Sequence, residues 1–207
     1  MRVFILCTGR NGSSTIIKAC QHITNFTADH ESLSRELGEA RLNYPDNHIE
    51  ADNRLSWVLG RLNERFGDEP FYVHLKRNRD QVAKSFTRRY FTPESMIDAF
   101  CEGIHKHPAE LMSAEERLQA AYDYVDTIDS NIELFLADKS KVMTIEMEQI
   151  KTDFVRFWDQ IGAEGDQEAA LAEFDIRHNA SKKRPLNYGY RLKLLFKREW
   201  QHLKMWV

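Results

Sequence analysis

Apolar positions open the chain as the short run Arg2 to Cys7, RVFILC, whose β-branched and apolar residues predict a strand buried on both faces. TGRNGSST interrupts it, and IIKAC then has the pattern of the first turns of a helix. A second extended run is expected from Ile23 to Thr27, ahead of the polar cluster Asp29, His30 and Glu31, in which Asp29 has the look of a helix cap. Leu33 to Leu42 carries apolar residues at helical spacing. His48 to Ala51 is a weak strand signal, followed by the periodic positions Leu55, Val58, Leu59, Leu62 and Phe66, with Asn53 as the expected N-cap and Trp57 as a core residue.

Phe71 to Leu75 is the second clear buried strand; it ends in KRNRD, before the helical pattern Val82, Phe86, Tyr90. Helices are expected from Glu94 to His105 and from Ala114 to Ala137, the second with Leu118, Ala121, Val125, Ile128, Ile132 and Phe135 on its apolar face. Lys141 to Ile145 is a late strand, Ile150 to Ile161 a helix, and Asp166 to Phe174 a short acidic helix. Arg177 to Gly189 is expected to be a loop before a final amphipathic helix, Tyr190 to Met205, which Tyr188, Tyr190, Trp200 and Trp206 help to dock. Strands alternating with helices predict a three-layer α/β/α sandwich around a central parallel sheet. No repeat or linker divides residues 1–207, so one domain with a helical insertion at 94–137 is expected.

Composition narrows the classes further. The 29 Lys and Arg against 32 Asp and Glu leave a net charge of -3, so no global basic excess draws the protein to nucleic acid or anionic membrane. The opening apolar run is far short of a membrane span or a signal-peptide core. Cys7, Cys20 and Cys101 are odd in number and lack metal-ligand spacing, which suggests buried free thiols and no metal site. The expectation is a soluble, cytoplasmic protein.

The chemistry concentrates in three places. In TGRNGSST the two glycines permit a tight turn with converging amides, and Ser13, Ser14 and Thr15 bring hydroxyls to a helix start, as a tetrahedral anion requires. The loop is not a Walker A motif: counted from Gly9, Ser14 and Thr15 stand where that pattern needs Gly and Lys. KRNRDQVAKSFTRR, Lys76 to Arg89, places six cations after a buried strand, where open α/β sheets bind ligands. SKKRP, Ser181 to Pro185, is a third basic element, and its rival reading is a solvated loop.

These motifs, in this order and about 60 residues apart, resemble those of the sulfotransferases that use 3'-phosphoadenosine 5'-phosphosulfate (PAPS), in particular the bacterial ones of P-loop-related fold. The opening loop is similar to their 5'-phosphosulfate loop, and the resemblance implies cofactor contacts from Arg10, Asn11, Gly12, Ser13, Ser14 and Thr15. FYVHLKRNRDQVAKSF is similar to their 3'-phosphate strand-loop-helix, implying contacts from Arg77 and Ser85, with Asn78-Arg79 standing where Asp-Pro is common. SKKRP resembles the basic loop that covers the nucleotide, offering Lys182, Lys183 and Arg184. No metal is implied.

The implied reaction moves a sulfuryl group to a hydroxyl or amine of a small-molecule or carbohydrate acceptor and releases 3'-phosphoadenosine 5'-phosphate (PAP). Arg10 would offset charge at the reacting centre. The family uses His or Glu as the base; Glu31 is the first choice and His30 the second. Glu50, Asp52, Asn53 and Arg54 are candidates for the acceptor side. Rival readings are a P-loop-like nucleotide kinase or hydrolase and a nucleotide-binding scaffold without transfer, with nucleic-acid binding a weaker fourth.

Overall fold

A computed structural model describes residues 1–176. Its centre is a five-stranded sheet in the order β2-β3-β1-β4-β5, every neighbouring pair parallel. The chain runs β1 (Arg2–Leu6), α1 (Ser13–Cys20), β2 (Thr27–His30), β3 (His48–Ala51), α2 (Leu59–Phe66), β4 (Phe71–Lys76), α3 (Arg79–Phe86), α4 (Met96–Phe100), α5 (Ala114–Leu136), β5 (Val142–Glu146), α6 (Ile150–Ile161) and α7 (Gln167–Ala172).

β1 shows why three layers form. Successive side chains of a strand point to opposite faces. Phe4 and Leu6 therefore enter a core shared with α2, α3, α4 and α5, whereas Val3, Ile5 and Cys7 enter a second core with α1, α6 and α7. Both faces of the central strand are dry, which is why its sequence does not alternate. α5, the longest helix, carries a capping box in which Ser113 and Glu116 exchange hydrogen bonds, and its buried face of Ala121, Val125, Ile128 and Ile132 is the one the periodicity indicates. No helix among the described residues is long and apolar enough to cross a membrane.

Several local expectations need correction. The extended run at Ile23–Thr27 is not the strand: Ile23 forms an isolated bridge to Gly165, and Asn25 is bonded to Gly162 and Glu164, so β2 begins only at Thr27. Asp29 consequently lies within β2 and caps nothing. Leu33–Leu42 is not an α-helix but a series of turns ending in a 3₁₀ segment, Gly38–Leu42; Gly38 takes φ 59°, and Leu37 faces solvent. Around β3, Asp52 rather than Asn53 caps the following 3₁₀ turn, Asn53–Trp57, and Trp57 is 37% exposed, edge-on to Phe100. The 94–105 helix is α4 followed by a π-helical turn, Cys101–His105, and Tyr90 lies beyond the end of α3, buried in a turn.

All three cysteines are buried and free, and burial pushes the Cys7 thiol up to about 12. The expected loop and final helix, with Tyr188, Tyr190, Trp200 and Trp206, lie outside the described residues.

Candidate active site

The sheet reverses direction of travel at β1: the chain leaves β1 toward β2 and leaves β4 toward β5, so the crevice beyond the carboxyl ends of β1 and β4 is the topological switch point. The loop at 8–12 sits there and is fixed from several sides. The Thr8 hydroxyl donates to Asn11 Oδ1 at 2.6 Å, Asn11 Nδ2 donates to the Leu75 carbonyl at 2.8 Å, and the Tyr124 hydroxyl donates to the Thr8 carbonyl at 2.8 Å. Asn11, almost fully buried, thus holds the loop onto β4.

Three residues of the loop, Gly9, Arg10 and Gly12, have left-handed backbones with φ of 83°, 65° and 88°. Gly12 precedes α1, and its carbonyl accepts from Thr15 and Ile16 at 2.9 and 3.1 Å. The amides ahead of Thr15 have no intrahelical acceptor and form the positive end of the helix. Close approach reinforces the need for glycine: a Cβ on Gly9 would lie 2.8 Å from Asn53 Nδ2, and one on Gly12 would lie 2.6 Å from Met147 Cε.

The basic run after β4 divides in the fold. Lys76 pairs with Glu133 and Arg79 with Asp126, both on α5. Arg77 turns instead toward the loop, donating to the Arg10 carbonyl at 3.3 Å while Gln81 supports its guanidinium at 2.8 Å. Arg10 Nε donates to Ser85 Oγ at 3.1 Å. Arg10, Arg77 and Ser85, drawn from two motifs, therefore share one place. Burial, followed by the neighbouring Arg89 and Arg77 guanidiniums, holds Arg10 below its usual pKa. Asn78, where Asp-Pro was the expected pattern, serves as the N-cap of α3, accepting from the Gln81 amide at 3.1 Å.

On the other side of α1, His30 ends β2 with Nε2 at 2.9 Å from Ser13 Oγ and 3.4 Å from Ser14 Oγ. Glu31 follows with φ 55°, and its carboxylate pairs with Arg54 at 2.7 Å. Arg54 stands on the turn after β3 that Asp52 caps. Of the acceptor-side candidates, Glu50, Asp52 and Asn53 are buried, and only Arg54 of the four is partly exposed. Lys182, Lys183 and Arg184 lie outside the described residues. Among the described residues, no group of three or more His, Cys, Asp or Glu is arranged to hold a metal ion.

Sequence reasoning missed one neighbour of Arg10 and one ion pair. Arg89 lay within the basic run, but nothing in its spacing distinguishes it from Arg88 or Lys84. The pairing of Arg54 with Glu31 spans two strands of the sheet and leaves no local trace.

The fold is an α/β architecture of sulfotransferase-like type. Among solved structures, the sulfotransferase domain from the curacin biosynthetic pathway superposes with a TM-score of 0.58 over 93% of this chain and 96% of that one, at 11% sequence identity. No family model matches the sequence, and no curated protein matches it.

Proposed function

We propose that the protein is a PAPS-dependent sulfotransferase acting on a hydroxyl or amine of a small-molecule or carbohydrate acceptor. The observation that carries this reading is the meeting of Arg10 and Arg77 at the switch point, with the half-buried Arg10 hydrogen-bonded to Ser85 and Arg89 near enough to lower its pKa. Like charges in a poorly solvated crevice oppose one another, and a polyanion relieves that opposition. PAPS carries negative charge at both the 3' and the 5' position of its ribose. The two motifs match it in kind, and their contact at Arg10 and Ser85 fits one ligand bound across both.

In this reading Arg77 and Ser85 hold the 3'-phosphate. Arg10, the loop amides and the hydroxyls of Ser13, Ser14 and Thr15 hold the phosphosulfate. The donor supplies a sulfuryl group that leaves its 5'-phosphate oxygen for the acceptor atom, giving PAP and the sulfated product. Glu31 takes the acceptor's proton, with Arg54 orienting its carboxylate. His30 fixes the rotamers of Ser13 and Ser14. The free buried thiols suit a reducing compartment, the cytoplasm.

Calorimetric titration with PAP, beside ATP and 5'-AMP, tests the assignment. Saturable binding that prefers PAP over both and weakens by about tenfold or more in Arg77→Ala is the expected result. Folded protein that does not bind PAP overturns the reading, and magnesium-dependent preference for ATP assigns the loop to a kinase or hydrolase.

A further inference from the structure

Two buried carboxylates, Glu50 on β3 and Asp52 just past its end, are not accounted for by the loop and arginines described so far. His48, Glu50 and Asp52 alternate along the strand and its extension, so they share one face. That face belongs to a core, yet Glu50 and Asp52 are fully buried and His48 nearly so. Buried ionic groups are a poor source of stability compared with apolar side chains of similar volume, so packing alone does not account for two of them.

Their partners do. Glu50 Oε1 accepts from the Ser32 amide at 2.9 Å and Oε2 from the Ser32 hydroxyl at 2.6 Å, while His48 Nε2 lies 3.1 Å from Oε2. His48 is held in turn by the Thr27 hydroxyl, 2.8 Å from Nδ1. Asp52 accepts from the Arg54 amide at 2.8 Å and is anchored by Arg41, whose other arm reaches the Tyr44 hydroxyl. Glu50 thus grips the residue after Glu31, and Asp52 grips the residue that pairs with the Glu31 carboxylate. Between these grips, the Glu31 amide extends the β2–β3 ladder by donating to the Ala51 carbonyl at 3.1 Å. Glu31 itself has φ 55°, a conformation that L residues adopt only when their surroundings over-determine it.

We infer that Glu50 is a positioning residue: through Ser32 it holds Glu31 in the left-handed conformation that turns its carboxylate back onto Arg54. The catalytic meaning of this clamp rests on the reading of Glu31 as the base; the clamp itself is a matter of backbone geometry.

Crystal structures of Glu50→Gln and Ser32→Ala test it, with Ser32→Thr as the variant that keeps the hydroxyl. Ser32→Ala guards against failure of the buried substitution to fold. In the first two, residue 31 relaxes toward extended backbone and its ion pair with Arg54 opens; in Ser32→Thr both features persist. PAPS cleavage with water as the acceptor then falls about tenfold or more in kcat, with the KM for PAPS and the affinity for PAP held within about twofold, because misplacing a base does not unmake the nucleotide site. Glu31 keeping its positive φ and its Arg54 contact in both variants overturns the inference, as does a fall in PAPS cleavage that appears in KM alone. Wild-type protein that neither binds PAP nor cleaves PAPS removes the transfer reading instead, and the crystal structures still decide the clamp.

Discussion

Ser13 Oγ and His30 Nε2 stand 2.9 Å apart, with Ser14 Oγ at 3.4 Å, so the first turn of α1 meets the last residue of β2 through one imidazole nitrogen. The two residues adjacent in sequence, His30 and Glu31, consequently face different tasks: one touches the loop, the other pairs with Arg54. His30→Ala should weaken PAP binding by about 2–10-fold, the worth of one neutral hydrogen bond. Glu31→Gln should leave PAP binding intact and abolish PAPS turnover. The reverse pattern, measured by calorimetry beside PAPS cleavage, transfers the role of base to His30.

Arg77 supports the loop through the Arg10 carbonyl and presents a charge at the switch point. A hydrogen bond to a charged group contributes about 1.5–3 kcal/mol, so Arg77→Ala should lower PAP affinity by roughly 10–100-fold. Ser85→Ala removes a neutral partner of Arg10 and should cost less. Equal losses in the two variants, in the same titration, would mean that loop support rather than charge sets the affinity.

Gly12 is constrained twice, by its φ of 88° and by Met147. The obstructing atoms belong to the end of a flexible side chain, which can swing away, whereas the backbone conformation cannot be relieved that way. Gly12→Ala should therefore destabilise the protein by about 1–2 kcal/mol. Adding Met147→Ala should recover little of it in urea denaturation, and full recovery would show that contact, not dihedral strain, is the reason for glycine.

Asp98 on α4 accepts from the Phe91 amide through Oδ2, while its Oδ1 and Glu110 Oε2 are buried with no hydrogen-bond partner among the described residues. Burial, then the nearby Glu110 and Glu102, pushes Asp98 up to about 7. An acid with a raised folded-state pKa binds its proton more tightly when folded. Its contribution is complete below about pH 4, declines as pH climbs, and is gone above about 7. Asp98→Asn, which mimics the protonated form, should stabilise the protein by roughly 1–3 kcal/mol at pH 8 and have little effect at pH 4, as read by urea midpoints. A gain that does not vary with pH would assign it to packing.

The parts of this fold that the sequence announced are those whose environment is uniform. β1 and β4 are dry on both faces and read as continuous apolar runs; α5 and α6 carry their apolar stripes over several turns. β2 was misplaced because it is an edge strand with polar outward positions, while the more apolar residues just before it are spent on the bridge to Gly165. In the candidate site, the glycine loop was legible because its turn and the helix start after it are contiguous in sequence, and the family resemblance pointed to Arg77 and Ser85, which the fold brings to Arg10. The Glu31–Arg54 pair and the Glu50–Ser32 grip were not legible, since each joins segments that only strand pairing brings together.

The contacts that build the crevice at the switch point bridge large stretches of chain: Arg10 to Ser85 spans 75 residues and Thr8 to Tyr124 spans 116. Loops of that length close late in folding, because their entropy is spent before the contacts can reward it. The crevice therefore exists only after β1, β4 and α5 have assembled. Nucleotide binding should then report on cooperative completion of the sheet, slowing its disassembly while leaving the fraying of peripheral turns almost untouched.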